Sequence, residues 1–166
     1  HGSDVSGLET TATLDMETDE WVINTPNIRA TKFWPGSMGT VANHAMVFCR
    51  LIANECDFGP QPILCPIRSY EDHMPLPGIT VGDMGTKLGY NSVDNGFLSF
   101  DNVRVPRKNM MTRFSYITKE GDLEMRGDLR MLYNIMVQTR MEIIGGCFMT
   151  LRCSLLIATR YACCRR

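Results

Sequence analysis

The sequence predicts a mainly β fold that carries one long α-helix as an appendage. Two patterns predict it. From Gly7 to about Arg107, short runs rich in Val, Ile, Thr and aromatic residues are punctuated by Gly, Pro, Asn and Asp. From Leu129 onward the prolines stop and apolar residues recur at helical steps. Roughly six or seven strands at spacings near ten residues imply a small antiparallel β-barrel or sandwich.

In chain order, Glu9 to Leu14 alternates as a strand. A polar connection from Asp15 to Glu20 then leads into Trp21-Val22-Ile23-Asn24, which is a hairpin signal. Ile28 to Trp34 reads as a strand running into a Pro35-Gly36 turn, and Ala45 to Ala53 as a long apolar strand buried on both faces. Pro62 to Ile67 follows, then a loop dense in Pro and Gly from Met74 to Gly89, then a strand from Phe97 to Val105. Polar residues from Thr118 to Asp128 form a connection. Beyond it Leu132, Met136, Ile143, Cys147, Leu151, Leu155, Ala158 and Ala162 fall on steps of three, four or seven, the pattern of an amphipathic helix laid on a partner surface. The domain boundary is expected at about residue 120, separating a β domain (1–120) from the start of a helical domain (121–166). His1 opens the chain without a Met and Arg165-Arg166 closes it inside a helical pattern, so both ends read as cuts in a longer polypeptide.

Composition narrows the function classes. With 166 residues, 44% of them hydrophobic, the chain has material for one core. The 17 basic and 18 acidic residues are interspersed and leave a formal charge of -1, which argues against nucleic acid or an anionic membrane as the main partner. No apolar stretch is read as approaching the roughly 20 residues that cross a bilayer, so the chain reads as soluble without a membrane span. Seven cysteines show no C-x-x-C spacing, which points to free thiols in a reducing compartment. His1, His44 and His73 are too scattered for a metal site, and no Ser/His/Asp or Cys/His group emerges, so no catalytic residue is assigned.

Three places could hold ligands. Phe33-Trp34-Pro35-Gly36, followed by Gly39, combines a rigid turn with an aromatic plane beside a residue that has no side chain. That suits a flat ring system pressed against backbone, although such a turn is ordinarily only a packed loop. Ser3, between Gly2 and Asp4, sits in a short polar lead-in to the first strand, where backbone N–H groups can face an anion or a carbonyl; a turn or cap is the plain alternative. Arg140, one turn before Ile144-Gly145-Gly146, can clamp an acidic group where small residues permit close approach, whereas most helix arginines are simply solvated. Asp94-Asn95-Gly96 reads as a turn first and a ligand contact second.

These pieces occur in a distinctive order. Gly2-Ser3-Asp4-Val5, Gly7-Leu8-Glu9-Thr10-Thr11-Ala12, Trp34-Pro35-Gly36, Leu76-Pro77-Gly78-Ile79-Thr80-Val81-Gly82-Asp83-Met84-Gly85, Asp94-Asn95-Gly96-Phe97-Leu98 and Arg104-Val105-Pro106-Arg107-Lys108-Asn109-Met110 follow one another. Together they resemble the middle domain of the acyl-CoA oxidases, the peroxisomal branch of the acyl-CoA dehydrogenase superfamily. The resemblance implies FAD as cofactor, with Trp34 and Gly36 at the flavin wall and Arg165 reaching the FAD diphosphate of a neighbouring subunit in a homodimer. It also implies that Ser3 and Arg140 touch a fatty acyl-CoA substrate. Gly36 replaces the hydroxyl residue of a typical dehydrogenase, which is the oxidase-like choice. Phe33, Thr40 and Val137 stand where a second tryptophan, a lysine and an acidic residue are common in the family. Arg165 lies 25 residues beyond Arg140, so on an unbroken helix the two share a face about 37 Å apart.

The implied reaction converts fatty acyl-CoA to trans-2-enoyl-CoA and reduces oxygen to hydrogen peroxide, in a peroxisome or a related organelle. The family's base is a glutamate outside this stretch, so the piece alone is expected to be inactive and to hold FAD poorly. The rival readings are an acyl-CoA dehydrogenase that hands electrons to an electron-transfer flavoprotein, and a non-catalytic β-domain scaffold.

Overall fold

The computed structural model describes residues 4–128 and 130–165. Ser3 and Leu129, both singled out above, lie outside the described residues, as do the side chains of Leu132 and Met136. The chain divides into two compact units, His1–Arg126 and Gly127–Arg166.

The first unit is all β. Its strands are β1 (Thr11–Asp15), β2 (Glu20–Asn24), β3 (Lys32–Gly36), β4 (His44–Ala53), β5 (Cys56–Pro66), β6 (Ile79–Asp83), β7 (Asn95–Phe100), β8 (Val103–Pro106), β9 (Ser115–Ile117) and β10 (Leu123–Met125). A five-stranded sheet has the order β5-β4-β1-β2-β8, a three-stranded sheet the order β3-β7-β6, and β9 pairs with β10 alone. Each larger sheet keeps two edges, so the barrel alternative falls away and the layers form an open sandwich. The antiparallel expectation holds for the pairings among the described strands with one exception: β1 runs parallel to β4, with Thr11 opposite Arg50 and Thr13 opposite Ile52. The β1–β2 hairpin takes β2 next to β8, which leaves the other edge of β1 for β4.

The core forms from the alternation of these strands. Ala12 and Leu14 of β1, Trp21 and Ile23 of β2, Val47, Cys49 and Leu51 of β4, and Ile63 and Cys65 of β5 join Ile79, Leu98 and Phe100 of the second sheet in one buried cluster. Trp21 is fully buried, and its indole Nε1 donates to the Arg107 carbonyl at 3.2 Å, so its one polar atom is satisfied. In β4 only one face is buried, contrary to the reading of a strand covered on both sides. Ala45, Val47, Cys49, Leu51 and Ala53 point inward while Met46 and Phe48 face out. The apolar run hid this because Met and Phe also occupy the outer positions.

Three segments depart from the predicted elements. Ile28–Ala30 is a single 3-10 turn instead of strand, capped by Asn27, whose Oδ1 accepts from the backbone N–H of Arg29 and Ala30 at 2.9 and 3.2 Å. The Pro/Gly-rich loop contains β6, which pairs with β7 from Ile79–Phe100 to Asp83–Gly96. The predicted strand Phe97 to Val105 splits into β7 and β8 at Asp101-Asn102, where Asn102 has φ 49°.

The second unit is one helix, α1 (Arg130–Cys164), unbroken over 35 residues. Its apolar side chains do not form the single predicted stripe. Ile143, Ile144, Phe148, Met149, Leu151, Leu155, Leu156, Ile157 and Tyr161 are all exposed and at 100° per residue they surround the axis. Residues Val137–Cys164 are long and apolar enough to cross a membrane by length and composition, which corrects the expectation that no such stretch exists. Its charges are the close pair Arg140 and Glu142 near the start and Arg152 and Arg160 further along, and a core helix of a larger protein meets the same test.

Candidate functional site

Trp34, Pro35 and Gly36 form the second half of β3 instead of the expected Pro35-Gly36 turn, and the turn proper spans residues 37–41 between β3 and β4. The β3–β7 ladder pairs Lys32 with Leu98 and Phe33 with Phe97, then slips before resuming at Gly36 and Asn95. The slip is a bulge, and it re-aims the side chain at its centre. Trp34 has φ 82° and Ser37 φ 59°, left-handed conformations that cost a non-glycine residue roughly 1–2 kcal/mol each. The Trp34 side chain is 56% exposed, so no packing of its own accounts for this cost.

Gly36 is informative because nothing among the described residues requires it. Its φ is not left-handed, and a Cβ placed on it would meet no atom within 4 Å. The open backbone at Gly36 beside the exposed indole of Trp34 can accept a flat ring without obstruction, so these residues fit a flavin. Gly39 and Gly96 differ. A Cβ on Gly39 would stand 2.3 Å from Asp94 Oδ1, and one on Gly96 would stand 2.3 Å from the Gly82 carbonyl oxygen and 2.7 Å from the Gly39 nitrogen. Those two are glycine for packing.

Two charged side chains hold the turn from its two polar edges. The Asp94 carboxylate accepts from the Thr40 backbone N–H at 3.0 Å, the Thr40 hydroxyl at 3.1 Å and the Val41 N–H at 3.1 Å. The Thr40 N–H leads the contacts that hold the Asp94 carboxyl below the usual carboxylate range. Its other oxygen, Oδ1, is buried without a hydrogen-bond partner among the described residues. On the carbonyl side, Arg68 is 5% exposed and its guanidinium donates to Ala42 O at 2.6 Å, Met38 O at 3.0 Å and Gly39 O at 2.9 Å. His73 Nε2 lies 2.6 Å from the Thr40 carbonyl oxygen, and Asn95 Nδ2 donates to the Trp34 carbonyl at 3.0 Å.

The sequence singled out Trp34 and Gly36 but missed Arg68, which follows an apolar strand and carries no motif. Asp94-Asn95-Gly96 reads in the sequence as a turn first and a ligand contact second. The structure puts Asn95 at the start of β7 and Asp94 directly before it, where its carboxylate reaches the Thr40 N–H. The remaining predicted contacts fall in the second unit or outside the described residues. Arg140 is exposed on α1. Arg165 follows the last helical residue, its backbone N–H still bonds to Tyr161 O at 2.9 Å, and its guanidinium stands 5.8 Å from the Tyr161 ring centroid. The helix therefore runs unbroken from Arg140 to Cys164, the residue before Arg165.

The buried thiols do not form a reactive centre. Burial pushes both Cys49 and Cys65 up to about 12, so neither supplies a thiolate near neutrality. Among the described residues no cluster of three or more His, Cys, Asp or Glu side chains could hold a metal ion.

Comparison with known proteins places this turn in a family. Residues 1–103 match the family described as acyl-CoA dehydrogenase, middle domain. A peroxisomal acyl-coenzyme A oxidase 1 of Arabidopsis thaliana is 50% identical over 171 aligned residues, which cover 100% of this chain and 26% of the relative. The solved structure of Arabidopsis thaliana acyl-CoA oxidase 1 superposes with a TM-score of 0.95 at 50% identity, again over 100% of this chain and 26% of that one. A Caenorhabditis elegans acyl-CoA oxidase-1 complexed with FAD and ATP gives a TM-score of 0.74 at 45% identity, covering 75% of this chain and 19% of that one. The chain thus spans about a quarter of the length of the relatives it matches. On its matched β domain, and on its likeness to peroxisomal acyl-CoA oxidases along its whole length, the chain belongs to the acyl-CoA dehydrogenase middle-domain family.

Proposed function

We propose that this chain is the middle β domain and the first C-terminal helix of a peroxisomal, FAD-dependent acyl-CoA oxidase. The observation that carries the reading is the pairing of Trp34 and Gly36: an exposed indole held at a left-handed φ beside backbone that neither packing nor conformation requires to be glycine. FAD, when bound, supplies the oxidant for forming the Cα–Cβ double bond of a fatty acyl-CoA, with oxygen as final acceptor and peroxide as product.

In this reading Trp34 and Gly36 form one wall of the flavin site and keep water from that side. Ser3 contributes a hydroxyl to the acyl-CoA, and Arg140 offers the planar fork that suits its anionic or carbonyl groups. Arg165, at the far end of α1, pairs with the FAD diphosphate of a second subunit, which makes the intact enzyme a homodimer. The apolar residues that surround α1 are covered by other helices of the whole enzyme, which accounts for their composition without a membrane. No residue of this chain acts as the base.

The test is an assay of the full-length protein with a fatty acyl-CoA. Peroxide formed without any added acceptor supports the oxidase, whereas strict dependence on an electron-transfer flavoprotein makes it a dehydrogenase. A full-length protein with no flavin absorbance would leave only a scaffold.

A further inference from the structure

Trp34 in β3 and Ser37 at the start of the following turn are both left-handed, which raises a question that the flavin wall does not answer: what holds the backbone on either side of Gly36 in place? Asn95 holds the Trp34 carbonyl and pairs with Gly36, and its chain neighbour Asp94 joins Arg68 in holding the turn that follows. The turn from Met38 to Ala42 presents three carbonyl oxygens on one side and two N–H groups on the other. Arg68 takes the carbonyls of Met38, Gly39 and Ala42, and Asp94 takes the N–H groups of Thr40 and Val41. A guanidinium presents five N–H donors in a fixed fork, so it can hold three carbonyls in one geometry. The Gly39–Thr40 peptide is thereby held at its carbonyl by a cation and at its N–H by an anion, and these come from distant parts of the sequence.

Burial makes the arrangement informative. Arg68 is 5% exposed and none of the ion pairs among the described residues includes it. A buried cation satisfied only by main-chain carbonyls is expensive compared with an apolar residue of similar size. Cheaper ways exist to close a loop. An arrangement this costly is expected where backbone must be held to a fixed geometry for a ligand.

We infer that Arg68 and Asp94 are positioning residues for the flavin ring: together they clamp the 38–42 turn and so fix Trp34 and the open backbone at Gly36 against the ring face. The inference rests on the flavin reading of Trp34 and Gly36. Neither side chain touches the ring; both act through the turn.

The experiment uses full-length protein and reads the shape of the visible absorption band per bound flavin, together with the FAD dissociation constant. Arg68→Gln and Asp94→Asn are each expected to weaken FAD binding about tenfold, the equivalent of one lost charge-assisted hydrogen bond, and to broaden the band of the flavin that stays bound. Arg68→Lys, which keeps the charge and some donors, restores part of both. A role in folding alone would lower the yield of folded protein but leave the band of bound flavin unchanged, and that result overturns the inference. Should Arg68→Gln fail to fold, Asp94→Asn decides by the same two readouts. Trp34→Ala separates the two levels. If it shifts the band while the clamp variants do not, only the clamp is wrong; if it too leaves the band unchanged, the flavin reading itself fails.

Discussion

Asn95 and Trp34 are joined by a hydrogen bond of 3.0 Å from the Asn95 side-chain nitrogen to the Trp34 carbonyl, across a point where the β3–β7 ladder has slipped. The side-chain amide replaces a backbone bond that the bulge removes, so the Trp34 peptide keeps its orientation at φ 82°. Asn95→Ala is expected to lower stability by about 0.5–1 kcal/mol, the net worth of one partly exposed hydrogen bond. Urea unfolding checks this, and flavin retention by the full-length variant falls in parallel.

Gly36 and Gly96 separate ligand from packing. Gly36→Ala meets open space in the chain itself, so the melting temperature stays close to wild type, within about 0.5 kcal/mol of stability, while the full-length variant loses FAD affinity by about tenfold or more. Gly96→Ala forces a Cβ against the Gly82 carbonyl and is expected to cost about 1–3 kcal/mol. Equal destabilisation by the two substitutions would show that Gly36 is a packing glycine as well.

Alkaline pH is expected to weaken the β domain through its two buried thiols. Burial raises Cys49 and Cys65 from an ordinary 9.0 to about 12 in the folded chain. Thiols in the unfolded chain ionise first, so the stabilising contribution is complete below pH 9.0 and is lost as pH rises toward about 12. Denaturation midpoints across that range check it. Alkylation at pH 8 followed by peptide mapping should label exposed Cys56 and spare Cys49 and Cys65 until the domain unfolds.

Acid acts through the opposite sign. Arg104 holds the Asp15 carboxyl below its usual value of 3.8, Arg107 does so for Asp19, and Arg50 for Asp57. The contribution of these pairs is present above the ordinary carboxylate pKa and is lost as pH falls through the depressed values. The pairs are largely exposed, so the loss is modest and shrinks with added salt. Arg104→Ala should flatten the acid limb of a midpoint-against-pH plot, and an unchanged limb would count against the pair.

Local pattern alone determined the β character of the first unit, the hairpin at Trp21 and the long helix after Leu129. Each of these depends on residues close together in the chain, such as alternation, proline placement or a turn dipeptide. Tertiary structure decided the rest. Whether Ala45 to Ala53 is covered on one face or two depends on what packs against it, and the parallel β1–β4 pairing depends on which edge a distant strand occupies. β6 lay hidden in the Pro/Gly-rich loop because its partner, β7, supplies the pairing that its own composition does not advertise. Arg68 and Asp94 meet only because the chain brings a guanidinium and a carboxylate to one turn. A main-chain carbonyl has the same identity in every residue, so no sequence pattern could mark which three of them a buried arginine would hold.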